Sequence, residues 1–157
     1  MIYYEENTDL LKANLDVIAH CCNCFCTMGS GIAKQIKENF PEAYEADLKT
    51  LRGDKRKLGS FSDCKVTSHD YNPHLKHIYN LYGQYNYGRD KRYLDYEAIA
   101  SALGVMATDC YLKEFHTIGF PKNMGCTLAG GKWSIVHEMI KSSFEDIFEV
   151  YICQYSK

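Results

Sequence analysis

The chain has 157 residues, of which 46% are hydrophobic and 13% aromatic. That is enough apolar material for one packed core, so a disordered chain is excluded and a single domain over residues 1–157 is expected. A net charge of −2 lacks the Lys and Arg excess of a bulk nucleic-acid binder. No apolar run approaches the roughly 20 residues of a membrane-crossing helix. Met1-Ile2-Tyr3-Tyr4-Glu5-Glu6 is no secretory leader, so a soluble, cytoplasmic protein without a membrane partner is expected.

Short β-type runs alternate with helical patterns, the signature of an α/β domain. Ile2–Glu5 reads as the first strand and Val17–Cys21 as the second. Val17-Ile18-Ala19 shows no in/out alternation, as expected of a strand covered on both faces. Ile32, Ile36 and Phe40 recur every fourth residue and share one face of a helix, after which Pro41 suits the first position of another. The basic stretch Arg52 to Lys57, interrupted by Asp54, reads as a solvated surface turn. Strands follow at Phe61–Thr67 and His77–Tyr82. A third helix spans about Asp95 to Lys113, with Asp95 as N-cap and Tyr96, Ile99, Leu103, Met106 and Cys110 spaced by threes and fours. Phe115–Phe120 is the fifth strand. The last helix begins at Trp133 or Ser134 and presents Val136, Ile140 and Phe144; Ile147–Cys153 closes the chain as a strand. Six strands and four helices predict a mixed sheet between two helical layers.

Eight cysteines without a leader read as reduced thiols. Four crowd into Cys21-Cys22-Asn23-Cys24-Phe25-Cys26, but no second Cys-x-x-Cys or His-x-x-x-His pair accompanies them. His69, His74 and His77 are too scattered to complete a zinc pattern. The expectation is small buried or half-buried thiols and no metal.

Two segments carry the chemistry. After the second strand, Gly29-Ser30-Gly31 leads into an amphipathic helix. Glycines there let backbone N–H groups face a ligand, and the helix start offers unpaired donors and partial positive charge, which suits a phosphate or diphosphate. A plain strand-to-helix connector has the same composition, so this loop alone leaves both readings open. The second segment, Phe120 to Trp133, also runs from strand to helix and holds three glycines. Two such loops at the carboxyl ends of strands form the crevice where α/β proteins usually hold ligands.

With these motifs in order, the chain resembles the macro domain family along nearly its whole length. The resemblance implies a three-layer α/β/α domain around a central mixed six-stranded sheet, with a pocket for ADP-ribose and no cofactor. Asn7-Thr8-Asp9-Leu10-Leu11 resembles the family's first turn, with Thr8 where a glycine is usual. By that resemblance Asp9 accepts from the adenine amino group, Leu10 lines the adenine pocket and Asn23 holds the distal ribose. Gly29, Ser30, Gly31, Ile32 and Ala33 match the first phosphate loop. Pro121 with Gly125, Cys126, Thr127, Leu128, Ala129 and Gly130 matches the second.

Ile18 to Asp47, Leu58-Gly59 and Tyr79 to Gln84 are most similar to the small stand-alone macro domains that remove phosphate from ADP-ribose 1″-phosphate. In that subgroup the histidine matching His20 supports catalysis, and an imidazole near neutral pH can move a proton. Thr127 and the loop N–H groups would hold the phosphoryl oxygens. The related hydrolases of ADP-ribosyl esters use a lysine and an aspartate where this chain has Gly83 or Gln84, and Ala129. The resemblance therefore implies hydrolysis of ADP-ribose 1″-phosphate to ADP-ribose and phosphate. Its alternatives are removal of ADP-ribose from modified protein or nucleic acid, and binding without turnover.

Overall fold

The computed structural model describes residues 1–155. Six strands, β1 (Ile2–Glu5), β2 (Val17–Cys22), β3 (Phe61–Lys65), β4 (His77–Tyr82), β5 (Thr117–Pro121) and β6 (Glu149–Cys153), form one sheet in the order β1-β6-β5-β2-β4-β3. All neighbours pair in parallel except β3, which runs antiparallel to β4. Position in the sheet follows polarity. Every residue of β4 is buried, and β2 exposes only part of Cys21, so these apolar strands sit inside the sheet. Phe-Ser-Asp-Cys-Lys of β3, with three polar residues of five and none fully buried, takes an edge.

Four helices cover the sheet: α1 (Gly31–Asn39), α2 (Pro41–Leu48), α3 (Tyr96–Leu112) and α4 (Trp133–Phe144). Ile36, Phe40 and Ala43 of the α1–α2 layer pack on the face bearing Ile18 and Ile78. Ile99, Leu103, Met106, Val136, Ile140 and Phe144 of α3 and α4 pack on Val17, Ala19, Tyr79 and Leu81 of the opposite face. Each valine, leucine, isoleucine, methionine or phenylalanine among them contributes about 1.5–3 kcal/mol through burial. This is the expected three-layer arrangement. Pro41 occupies the start of α2, and the Asp95 carboxylate caps α3 by accepting from the Ala98 N–H at 3.0 Å.

Strand ends differ from the sequence reading for local reasons. Glu114 adopts a left-handed φ of 60° and the Phe115 N–H returns to the Cys110 carbonyl, so β5 starts only at Thr117. The Ile147 and Phe148 N–H groups are likewise claimed by the Phe144 carbonyl, which delays β6 to Glu149. Strand β3 ends at Lys65, although the Val66 N–H still reaches the Lys76 carbonyl. The solvated turn at Arg52–Lys57 needs correction at its end. Asp54 accepts from the Arg56 N–H and pairs with its guanidinium, winding Lys55–Lys57 into a 3₁₀ turn. That turn swings Lys57 inward, where it is buried and donates to the Cys24 carbonyl at 3.1 Å.

Candidate functional site

Parallel pairing points β2, β4 and β5 the same way, so the loops after them converge at one edge of the sheet. The first loop, residues 23–30, is shaped by Asn23. Its Oδ1 accepts from the Phe25 N–H at 2.8 Å and its Nδ2 donates to Thr27 Oγ1 at 2.7 Å. The loop is held from beneath as well. The Cys24 carbonyl accepts from the Gly53 N–H and from Lys57 Nζ, and the Cys26 carbonyl accepts from the Tyr44 hydroxyl at 3.1 Å. Ser30 occupies the N-cap position of α1 without giving a side-chain bond, so the first N–H groups of the helix stay open. A Cβ added at Gly29 or Gly31 would meet no atom within 4 Å; both glycines face open space.

The second loop, residues 122–132, is closed by its own backbone. Cys126 N–H bonds the Asn123 carbonyl at 2.8 Å and Gly131 N–H bonds the Gly125 carbonyl at 3.0 Å. A Cβ at Gly131 would stand 2.3 Å from Leu94 Cδ2 and 2.9 Å from the Gly125 oxygen, so no larger residue fits without movement. The segment after β4, residues 83–95, is the third wall. The N–H groups of Tyr93 and Leu94 both bond the Ala129 carbonyl, at 2.8 and 3.1 Å.

Together these segments enclose a cleft of about 530 Å³. It brings together most of the residues expected from sequence: Asn23, Gly29, Ser30, Gly31, Ile32, Ala33, Pro121, Gly125, Thr127, Leu128 and Ala129 all line it. Gly130 and Cys126 belong to the second loop but do not line the cleft. Cys126 donates to the Met124 carbonyl at 3.3 Å, and burial pushes its thiol up to about 11. Leu10 is buried in the core against β5, where Gly119 leaves room for its Cδ1, and does not line the cleft. Asp9 also lies outside it and caps a 3₁₀ turn, Leu10–Lys12, with its Oδ1 accepting from the Leu11 N–H at 3.0 Å.

The placement of His20 departs most from expectation. Its side chain points to the α2 side of β2, is fully buried, and its Nε2 lies 2.7 Å from Asn80 Oδ1. Burial holds its pKa down at about 4, with the Asn80 bond opposing that shift, so the imidazole is neutral near pH 7. Its link to the cleft lining is Cys22, whose Sγ lies 3.5 Å from Nε2. A residue in this position cannot exchange a proton directly with a ligand in the cleft.

Sequence reasoning missed several cleft residues, including Cys21, Cys22, Thr27 and Gln84. Tyr87, Gly88 and Arg89 come from the third wall, where only a Tyr-Gly-Arg run without helical or strand periodicity signalled a functional loop. It also missed Lys122, which follows β5 and bonds Gln154 through its ammonium. Arg89 and Lys122 are the cations of the lining, and among the described residues no carboxylate or imidazole accompanies them there. Chemically, the cleft sets backbone donors, hydroxyls and amides beside apolar side chains such as Ile32, Met124 and Leu128, and its charged side chains are cations.

The comparisons agree with this geometry. The model of the Macro domain family matches residues 19–140. An uncharacterized 17.5 kDa protein of the tk-vs intergenic region of Enterobacteria phage T4 is 36% identical over 136 residues, covering 86% of this chain and 83% of its own. The macrodomain of Mycobacterium tuberculosis DarG superimposes with a TM-score of 0.78 at 23% identity, covering 100% of this chain and 99% of that one. Thermosipho africanus DarTG, solved in complex with ADP-ribose, superimposes with a TM-score of 0.75 at 19% identity, over 93% of this chain and 39% of that one. Fold, loop order and family match coincide: the chain belongs to the macro domain family.

Proposed function

We propose that the cleft binds ADP-ribose 1″-phosphate and hydrolyses its phosphate ester to ADP-ribose and inorganic phosphate. The observation that carries this reading is an uncapped helix N-terminus between two glycine-bearing loops, in a cleft whose walls hold cations but no carboxylate or imidazole. Such walls suit a polyanion. They suit poorly a cleavage that depends on a side-chain base.

Phosphoryl transfer from a monoester makes little demand on such a base, because its loose transition state is stabilised mainly by positioning and by donors to the phosphoryl oxygens. Here the open N–H groups at the start of α1 take the diphosphate, and Thr127 with the second loop faces the distal ribose and its substituent. Water attacks phosphorus and the bond from phosphorus to the anomeric oxygen breaks. The departing oxygen takes a proton and leaves as the hydroxyl of ADP-ribose; the anomeric position makes it a better leaving group than an ordinary alcohol. His20 acts in this reading only by supporting the Cys22–Asn23 turn from behind. Asp9, with its second carboxylate oxygen free of bonds among the described residues, takes the adenine amino group beyond the β5–β6 end of the cleft.

The test combines calorimetric titration with ADP-ribose and measurement of phosphate released from ADP-ribose 1″-phosphate. Saturable binding with catalytic phosphate release is expected. Binding without release removes the hydrolytic part of the reading. Release of ADP-ribose from modified glutamate or nucleotide ends, without action on the phosphate ester, transfers the activity to ADP-ribosyl hydrolysis.

A further inference from the structure

We propose that Arg89 is the specificity-determining residue that reads the phosphate on the distal ribose, an inference that rests on the ADP-ribose 1″-phosphate reading above. The sheet order sets its position. Strand β4 flanks β2 on the side away from β5 and β6, so the segment after β4 enters the cleft lining from the side opposite the strand that carries Pro121 and Lys122. A ligand with its adenine toward β6 and its diphosphate at the start of α1 places its distal ribose under this segment.

The segment is strapped to both glycine loops. The Tyr85 carbonyl accepts from the Cys24 N–H at 2.9 Å, and the Tyr85 hydroxyl donates to the Gly53 carbonyl at 2.8 Å. At its other end Tyr93 and Leu94 hang on the Ala129 carbonyl. Arg89 lies between these two attachments, exposed and lining the cleft.

Its charge is also the one left over. Asp90 accepts from the Tyr93 hydroxyl, Lys91 lies over the Tyr93 ring at 5.2 Å, and Arg92 lies over the Tyr96 ring at 4.4 Å. Among the described residues the Arg89 guanidinium makes no hydrogen bond or ion pair, and the cleft walls offer it no carboxylate. A guanidinium matches a phosphate dianion through paired, charge-assisted hydrogen bonds. ADP-ribose has only a neutral hydroxyl at that place. Arg89 therefore holds the ester more strongly than the product and loosens its hold once phosphate departs.

The experiment compares wild type, Arg89→Gln and Arg89→Lys. The readouts are kcat/KM for phosphate release from ADP-ribose 1″-phosphate, and inhibition by ADP-ribose. Charged hydrogen bonds of this kind correspond to roughly 10- to 100-fold in affinity. Arg89→Gln is expected to lower kcat/KM for the ester by that factor beyond any change in the inhibition constant of ADP-ribose, with Arg89→Lys in between. Equal loss for both ligands, or an unchanged ratio, overturns the assignment while hydrolysis stands. If wild type releases no phosphate, the hydrolysis reading fails by itself. Direct titration with the intact ester then decides for Arg89: a wild-type preference for the ester that Arg89→Gln abolishes supports it, and any other pattern overturns it.

Discussion

The two glycine loops that face each other across the cleft are held by opposite means. The first rests on polar groups from below: the Lys57 and Tyr44 side chains reach its carbonyls, the Asp47 backbone carbonyl accepts from the Cys26 thiol, and the Thr50 hydroxyl stands beside it. Its Gly29 and Gly31 touch nothing. The second has one such prop, at its end, where the Tyr96 hydroxyl accepts from the Lys132 N–H at 3.0 Å. Backbone bonds close it, and Gly125 and Gly131 pack against Leu94. Similar composition thus conceals two settings for glycine: open space at the cleft in one loop, and close packing on a leucine in the other. The polar support can be titrated or deleted; the apolar one can only be overfilled.

Acid is expected to have the largest effect, and on the first side alone. His20, beneath Cys22, is held down at about 4 by burial, against an ordinary value of 6.5. Between those values the unfolded chain binds more protons than the folded one, so stability is complete above the upper value and is lost as pH falls toward the lower. A loss of roughly 2–3 kcal/mol is expected between about pH 7 and about pH 4.5, and His20→Gln should remove most of it. Urea unfolding at both pH values measures this. Asp16, Glu42 and Asp63, all held below their usual range by hydrogen bonds, lose their contributions only at lower pH. A flat wild-type profile across the window would contradict the dry, neutral environment assigned to His20.

Deleting the cation under the first loop ranks next. Lys57→Met keeps most of the buried stem but removes the bond to the Cys24 carbonyl and the charge 4.6 Å above the Tyr82 ring. It also removes the cation near Asp47, whose Oδ2 is buried without a hydrogen bond and whose pKa burial raises. A loss of about 2 kcal/mol in urea unfolding is expected, accompanied by weaker ADP-ribose binding, while Lys55→Met on the surface of the same turn changes stability by less than about 0.5 kcal/mol. Equal effects from the two lysines would remove the distinction between the loops.

That lysine also marks where the sequence stopped being legible. Six strands and four helices could be read from hydrophobic spacing, Pro41 and Asp95, because those signals are local. Arg52–Lys57 looks solvated because charge predicts exposure, and only the Asp54-capped turn, a matter of φ and ψ, sends its last member inward. The His20 placement was hidden for a different reason. Val17-Ile18-Ala19 is apolar on both faces, so the strand carries no phase telling which side receives the next residue, and its partner Asn80 lies 60 residues away. The glycine loops could be recognised by order and spacing, but not which glycine faced open space and which faced Leu94. Arg89 lay in a run without periodicity, and its place in the cleft comes from the sheet order.

The smallest expected effects divide the loops most cleanly, through a matched pair of alanines. Gly131→Ala puts a methyl 2.3 Å from a leucine tip that can swing and 2.9 Å from a backbone oxygen that cannot, so overpacking should destabilise the fold by about 1–2 kcal/mol. Gly29→Ala meets no atom within 4 Å and has no left-handed φ, so its stability should stay within about 0.5 kcal/mol of wild type, or rise as the unfolded chain loses freedom. Its cost should appear only in calorimetry, as weaker ADP-ribose binding, because the new methyl occupies the space through which a diphosphate approaches the start of α1. If Gly29→Ala destabilised the chain as much as Gly131→Ala, the space at Gly29 would be serving the packing of the protein. If it left both stability and affinity unchanged, the diphosphate would have to lie elsewhere in the cleft.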